Sequence, residues 1–333
     1  MLGHIGGSGE GDMATKARWG QHPAADLVIA HISDTHLLTG GVPLNGSIDT
    51  VANLHLAMER LAGSGIDFDA LVFTGDLTDL GEPGAYDILR DAVEPVAARL
   101  GAEVIWVMGN HDERAPFAAA LYGESVENAG ENAARPQDRV HDVHGLRIIA
   151  LDSTVPGYHH GELTDAQLDW LRRELAAPAP RGTLLALHHP PVPSPIDFHD
   201  ALELRDQHKL AEVVEGTDVR GILGGHLHYS THSTFAGVPV SVAAATCYTM
   251  TFLEPDRLLS GVDGGQSIDL VHVYDDRIVH TVAPLARFPE VASRPADLID
   301  RISKLDPELR LELLSSKEST FDRLLRALDD AGA

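Results

Sequence analysis

Trp106-Val107-Met108-Gly109-Asn110-His111-Asp112 passes from apolar chain to reactive side chains within seven residues. Trp106, Val107 and Met108 close an apolar run that starts at Val104 and reads as a buried strand. Gly109 has no Cβ and lets the chain turn sharply. Past the turn come an amide, an imidazole and a carboxylate, three groups with little to add to stability. Polar groups delivered beyond the end of a buried strand suit a site outside the carboxyl ends of an open α/β sheet.

The same pattern recurs on both sides of this stretch. Leu27–Ile32 is apolar apart from His31 and ends at Ser33-Asp34-Thr35-His36. Residues 70–73 end at Thr74-Gly75-Asp76, Thr183–Leu187 at His188-His189-Pro190-Pro191, and 219–223 at Gly224-Gly225-His226-Leu227-His228. Between the first strands, Ile48, Val51, Leu54, Met58 and Leu61 fall on one helical face that Gly63-Ser64-Gly65 ends. A second helix is expected over 82–100, broken or kinked near Glu94 by Pro95. Strands alternating with helices at this spacing predict a parallel sheet covered by helices. Residues 115–138 read as a helix and a surface loop. Residues 140–143 and Leu146–Leu151 read as strands joined at His144-Gly145. Thr164 with Gln167 forms a capping box for the next helix. Residues 201–214 read as helical and 233–284 as short strands and turns. From Pro295 the pattern is helical, with Pro307 opening one segment and Ser319 with Asp322 capping another.

Composition narrows the function. Against 25 Lys and Arg stand 50 Asp and Glu, a formal charge of −25, which repels polyanions and argues against a nucleic-acid partner. A single cysteine, Cys247, excludes an intramolecular disulfide and a thiolate metal cage, and its apolar setting suggests a buried small hydrophobe. The glycine-rich first 25 residues show no apolar leader core and read as a flexible arm. Residues 235–253 lack charge, but Gly237-Val238-Pro239 is a turn signal, so strands rather than a membrane span are expected. A cytoplasmic protein with no integral membrane segment is the expectation.

Asp34, His36, Asp76, Asn110, His188, His226 and His228 are the residues that the five strand exits deliver. Taken singly, each is more often a helix cap or a core histidine. Together they make a metal site, and oxygen and imidazole donors without thiolate suit Mn, Fe, Zn or Co. Residues two apart in an extended exit face the same way. Asp34 and His36 can therefore grip one ion, and His226 and His228 can divide between two. Seven donors are too many for one ion, whereas two dications about 3.5–4 Å apart serve hydrolysis of phosphate esters. Their repulsion, roughly 19 kcal/mol at an effective dielectric of 20, calls for shared anions. Asp76 is the candidate bridging carboxylate, beside a bridging hydroxide.

Asp34-Thr35-His36, Gly75-Asp76, Gly109-Asn110-His111-Asp112, His188 and Gly225-His226-Leu227-His228 resemble, in this order, the calcineurin-like metallophosphoesterases. More narrowly, His31-Ile32-Ser33-Asp34-Thr35-His36-Leu37, His188-His189-Pro190-Pro191 and Gly225-His226-Leu227-His228-Tyr229-Ser230 resemble bacterial class III cyclic nucleotide phosphodiesterases. The likeness runs from about Ala30 to Pro284. It implies an α/β fold, a four-layer α/β/β/α sandwich of two mixed β-sheets flanked by helices, occupying 26–290. Residues 1–25 would be the arm and 291–333 a helical C-terminal extension, packed on the body or on another subunit.

The resemblance further implies that Asp34, His36 and His228 hold one ion, often iron, and that Asn110, His188 and His226 hold the other, often manganese, with Asp76 between them. His189 would be structural. The implied reaction is in-line attack of the bridging hydroxide on a small phosphodiester, 3′,5′-cyclic AMP or GMP. His36, Asp76, Asn110, His111 and His228 would meet the substrate, with His159 as a loop contact. His111 would protonate the leaving oxygen, with Asp112 orienting its ring. The same metal residues would serve a glycerophosphodiester, a 2′,3′-cyclic nucleotide or a phosphomonoester, and a non-catalytic scaffold is the reading from another class. Relatives are often dimers, which implies a homodimer.

Overall fold

The computed structural model describes residues 20–125, 128–254 and 256–330. Each apolar run becomes a strand, and each amphipathic stretch a helix laid on it. The first run of elements is β1 (Leu27–Ile32), α1 (Thr50–Ala62), β2 (Ala70–Thr74), α2 (Pro83–Leu100) and β3 (Glu103–Val107). Then come α3 (Arg114–Tyr122), α4 (Ala129–Ala134), β4 (Arg139–Val143), β5 (Leu146–Leu151), α5 (Asp165–Glu174) and β6 (Thr183–Leu187). After α6 (Gln207–Val214) follow β7 (Val219–Gly224), β8 (Thr231–Phe235), β9 (Val238–Val242), the short hairpin β10 (Thr249–Met250) and β11 (Gly261–Val262), then β12 (Ser267–Val273) and β13 (Ile278–Pro284).

Two mixed sheets result, in strand orders β13-β12-β1-β2-β3 and β4-β5-β6-β7-β9-β8. β1, β2 and β3 run parallel, as do β5, β6, β7 and β9. Alternation along the strands sends one set of side chains inward and the other outward. Ile29, Val72, Ile105 and Val271 of the first sheet meet Ile148, Ala150, Leu184 and Leu223 of the second in a core between the sheets. On the outer face of the first sheet, Ala30, Leu71, Phe73 and Trp106 pack with Leu54, Met58 and Leu61 of α1 and Tyr86, Leu89 and Val93 of α2. On the outer face of the second, Ile149, Leu185 and Ile222 pack with Leu168 and Leu171 of α5 and Leu210 and Val213 of α6. These three cores are the α/β/β/α sandwich expected from the sequence. The parallel strands bring the exits of β1, β2 and β3 to one end of their sheet, and those of β6 and β7 to one end of the other.

Several local expectations change. α2 runs through Pro95 as one helix. The proline removes the amide that would bond the Asp91 carbonyl, but Asp91 and Pro95 are both exposed, so water can serve that carbonyl. Residues 201–206 are not α-helical; a 3-10 turn over Asp197–Ala201 precedes α6. The β8–β9 turn lies at Ala236-Gly237, both at positive φ, and Pro239 is inside β9. The capping box of Thr164 and Gln167 is present. Thr320 Oγ1, not Ser319, accepts the Arg323 amide at the start of α9 (Phe321–Asp330), because the Ser319 hydroxyl donates to the Leu313 carbonyl.

Residues 25–287 form one compact unit. The residues from Phe288 onward belong to a second, in which α7 (Leu298–Ser303), α8 (Pro307–Ser315) and α9 enclose Leu298, Ile302, Leu305, Leu313, Leu324 and Leu328. Most of the arm expected over 1–25, residues 1–19, lies outside the described residues.

Candidate metal centre

The strand exits do not leave as extended chain. Asp34, His36, Asp76, His226 and His228 take positive φ, between 44° and 70°, and are five of the nine non-glycine residues that do so among the described residues. Such backbone costs on the order of 1–3 kcal/mol per residue and persists where surrounding contacts impose it. Here it turns the exits of β1, β2 and β7, and backbone bonds tie exit to exit: Asp34 N–H to the Gly75 carbonyl, His36 N–H to that of Asp76 and Gly225 N–H to that of His188. Two glycines permit the crowding. A Cβ on Gly109 would overlap the Asp76 amide nitrogen, and one on Gly225 would overlap the Ser33 hydroxyl and lie 2.8 Å from the Thr74 carbonyl oxygen.

Hydrogen bonds fix which atom of each side chain faces inward. His188 Nδ1 donates to the Thr74 carbonyl (2.8 Å), His228 Nδ1 to the Tyr248 carbonyl (3.0 Å) and His226 Nε2 to the Leu202 carbonyl (3.1 Å). His36 Nδ1 donates to Asp79 Oδ1 at 2.9 Å. Each acceptor can only accept, so the neutral ring carries its proton on that side, and its other nitrogen is a bare lone pair. The carboxylates are divided in the same way. Asp34 Oδ2 accepts the His226 amide at 3.1 Å, and Oδ1 has no hydrogen-bond partner. Asp76 Oδ1 accepts the His111 amide at 2.8 Å, leaving Oδ2. The Asn110 amide is oriented by Nδ2, which donates to His159 Nδ1 at 2.9 Å, leaving Oδ1.

The seven remaining atoms converge in two overlapping groups. In one, His36 Nε2 lies 3.2 Å from His228 Nε2 and 3.4 Å from Asp76 Oδ2, and His228 Nε2 lies 3.4 Å from Asp34 Oδ1. In the other, His188 Nε2 lies 3.1 Å from Asn110 Oδ1, 3.2 Å from His226 Nδ1 and 3.3 Å from Asp76 Oδ2. Asp76 Oδ2 belongs to both. Lone pairs aimed at lone pairs repel, and a cation within each group turns that repulsion into ligation. The residues fit a pair of metal ions.

The electrostatics agree. Burial would raise the Asp34 carboxyl, but His228 and His188 hold it down at about 2. Asp76 is likewise held well below the usual carboxylate range, burial being outweighed by His188 and His36. Burial opposes charge on His188, yet Asp76 and Asp34 lift it to about 9. The carboxylate charge that draws a proton to that nitrogen also draws a metal ion.

His111 lies beside this group, its ring 4.8 Å from that of His36. Asp112 does not orient it. The Asp112 carboxylate is buried and accepts from the amides of Leu77, Thr78 and Gly109, the Thr78 hydroxyl and the Tyr86 hydroxyl, tying the exits of β2 and β3 together. The His111 ring is held by Asp79, whose carbonyl accepts from Nδ1 at 2.9 Å and whose carboxylate lies 3.6 Å away. Asp79 therefore secures both His36 and His111, and the sequence reading missed it. His159 lies at the edge, its ring 5.0 Å from His111. His189 is buried, paired with Ser153 Oγ (2.8 Å) and the His159 carbonyl (3.1 Å), and burial together with His188 lowers it to about 3. Cys247 is buried, as expected.

The centre opens into a cleft of about 410 Å³. Its floor is His36, Asp76, Asn110, His111, His226 and His228; Lys and Arg are absent from its lining among the described residues.

Residues 27–230 match the sequence profile described as calcineurin-like phosphoesterase. A cAMP/cGMP dual specificity phosphodiesterase of Mycobacterium tuberculosis is 54% identical over 270 residues, 81% of this chain and 83% of that protein. A 3′,5′-cyclic adenosine monophosphate phosphodiesterase of Pseudomonas aeruginosa is 32% identical over 235 residues, 69% of this chain and 81% of that one. The crystal structure of a dimetal phosphatase from Danio rerio superposes with a TM-score of 0.55 at 14% identity, over 79% of this chain and 97% of that one, a likeness of fold alone.

Proposed function

Because the chain belongs to the calcineurin-like phosphoesterase family, we propose that it is a binuclear metal-dependent phosphodiesterase hydrolysing 3′,5′-cyclic AMP and GMP. The observation that carries the hydrolytic reading is the convergence of seven lone-pair donors in two groups that share Asp76 Oδ2. Asp34, His36 and His228 would hold one ion and Asn110, His188 and His226 the other, with Asp76 common to both. Such ions would supply Lewis acidity, lowering the pKa of a bound water and offsetting charge on the phosphoryl oxygens.

The chain's own groups do the rest. His111 donates Nδ1–H to the Asp79 carbonyl, so Nε2 is the nitrogen free to meet substrate. To protonate the departing ester oxygen the ring must be the imidazolium, with Nδ1–H on the Asp79 carbonyl and Nε2–H given to the ester oxygen, which leaves the neutral ring behind. His159 Nδ1 accepts from Asn110, so its proton lies on Nε2, which can donate to a phosphoryl oxygen. Asp112 acts as a positioning residue that fixes where the exits of β2 and β3 meet.

Among the described residues the cleft carries acids, amides and imidazoles beside apolar side chains and no Lys or Arg, which supports a singly charged diester over a doubly charged phosphomonoester. The relative at 54% identity supports a cyclic nucleotide as that diester. Iron and manganese suit hard oxygen and imidazole donors without thiolate. We assign the activity to 26–290, with 291–333 a helical extension, in a cytoplasmic homodimer. Its lone cysteine suits a reducing compartment. Among the described residues no helix is long and apolar enough to cross a membrane. Exposed Phe252, Leu253, Leu258 and Val262 offer a surface for a second copy.

The test is apo-protein reloaded with Mn, Fe, Zn or Co and assayed on cyclic AMP, cyclic GMP, a glycerophosphodiester and an aryl phosphomonoester. Cyclic nucleotides should lead kcat/KM by about tenfold or more, a difference of roughly 1.4 kcal/mol in transition-state binding. A lead for the glycerophosphodiester or the monoester would replace the substrate, and no turnover with any metal would remove the hydrolase reading.

A further inference from the structure

The cleft has two halves of different chemistry. Its floor is the donor set above. The rest of its lining is mostly apolar, Leu44, Phe198, Leu202, Tyr248, Met250 and Leu259, with Asn45, Asp79, His159 and His199 as its polar members. Phe198 is 41% exposed and Leu259 36%, whereas Phe73 and Phe117 in the core are fully buried. Apolar surface open to a cleft gains nothing from a phosphate, but it can cover the face of a flat heterocycle.

Asn45 is exposed yet held in place. It sits at φ 52° in a turn closed by Gly46 N–H donating to the Pro43 carbonyl at 3.0 Å. Leu44 and Ile48 exchange amide-to-carbonyl bonds of 2.8 and 3.0 Å across the turn. The Leu44 side chain is buried against Ala245 and Cys247, in the segment that continues to Tyr248. The Asn45 side-chain amide has no hydrogen-bond partner among the described residues. It can offer one acceptor beside one donor, and reversing the amide reverses their order. Adenine presents the N6 donor beside the N1 acceptor; guanine presents the O6 acceptor beside the N1 donor. One amide in two orientations therefore matches both edges.

Resting on the cyclic nucleotide reading, we propose that this lining is a purine subsite, in which Phe198, Met250 and Leu259 cover the base and Asn45 reads its edge for either purine. The experiment measures kcat/KM on cyclic AMP, cyclic GMP and the abasic ribose 3′,5′-cyclic phosphate for metal-loaded wild type, Asn45→Asp and Phe198→Ala, together with Kd for 5′-AMP and 5′-GMP. A carboxylate at position 45 accepts from guanine N1–H and N2–H but faces the adenine N1 lone pair. Asn45→Asp should therefore shift the cyclic GMP to cyclic AMP ratio toward cyclic GMP by at least about fivefold, with the Kd ratio following. Phe198→Ala should raise KM for both nucleotides by about fivefold while kcat holds. Neither variant should alter turnover of the abasic ester. An unchanged ratio in Asn45→Asp and an unchanged KM in Phe198→Ala, in enzyme that cleaves both nucleotides, would overturn the subsite. Wild type that cleaves the abasic ester but neither nucleotide would overturn the substrate reading, and the subsite with it.

Discussion

Among the described residues, two clusters of histidine and aspartate reach into the sandwich, and they differ in how their donor atoms are gathered. The first is the Asp34 to His228 set at the strand exits. The second lies on the inner faces of the sheets: His31 on β1 pairs in register with Asp269 on β12, near Ser241, His232 and His280. There His31 Nε2 meets the Thr74 hydroxyl at 2.9 Å, and Ser241 Oγ lies 3.2 Å from His232 Nδ1 and 3.5 Å from Asp269 Oδ2. His31 Nδ1, Asp269 Oδ1 and His280 Nδ1 are without hydrogen-bond partners, as Asp34 Oδ1 is. Yet among the described residues no member of this cluster joins a group of three donor atoms within 4.8 Å of one another. Burial there works against charge instead of gathering it. It drives His31 down to about 3, with His280 adding to the effect, and lifts the Asp269 carboxyl to about 6. Burial and residue type do not make a metal site; anchored far-side nitrogens and a shared carboxylate do.

The largest contrast between the two should come from their carboxylates. Asp76→Ala should lose one or both ions and lower turnover on the order of 10³-fold, while Asp269→Ala keeps both ions and turnover within about twofold. Metal analysis and kcat/KM on cyclic AMP measure both. Next in size, His111→Ala should keep the ions but lower turnover by about 10²-fold, and by less on a p-nitrophenyl diester whose leaving group needs no proton. Equal losses on both substrates would remove the acid role. Asp79→Ala should cost about tenfold through loosened His36 and His111, with weaker metal affinity seen by chelator competition.

The smallest effect is on stability. The Asp269 carboxyl is raised from 3.8 to about 6 in the fold, so its contribution is complete below pH 3.8 and lost as the pH rises to 6. Asp269→Asn removes that loss and should raise unfolding free energy at pH 7 by about 1–3 kcal/mol relative to its effect at pH 4. Urea titrations at both pH values would show it, and equal effects would contradict it.

What could be read from the chain follows the same division. Strand exits are local features: an apolar run, a glycine and a ligand type appear together, as in Val107-Met108-Gly109-Asn110. The layered fold followed from strands and helices whose apolar spacing differs. Pairing across the sequence was not visible. His111 and Asp112 are neighbours in the chain and seemed natural partners, but the backbone sends Asp112 under the β2 exit, and Asp79, from another loop, reaches His111 instead. The carbonyls of Thr74, Leu202 and Tyr248 carry no side-chain signal at all. Helix limits at Pro95 and around 201–206 depended on whether a freed carbonyl faced water and on a 3-10 turn, both decided by tertiary packing.

An anomalous difference map of crystals grown with manganese is the sharpest single test. Two peaks should appear about 3.5–4 Å apart, one ringed by Asp34, His36 and His228, the other by Asn110, His188 and His226, with Asp76 reaching both. One peak alone, or peaks beside His31 and Asp269 instead, would contradict the assignment.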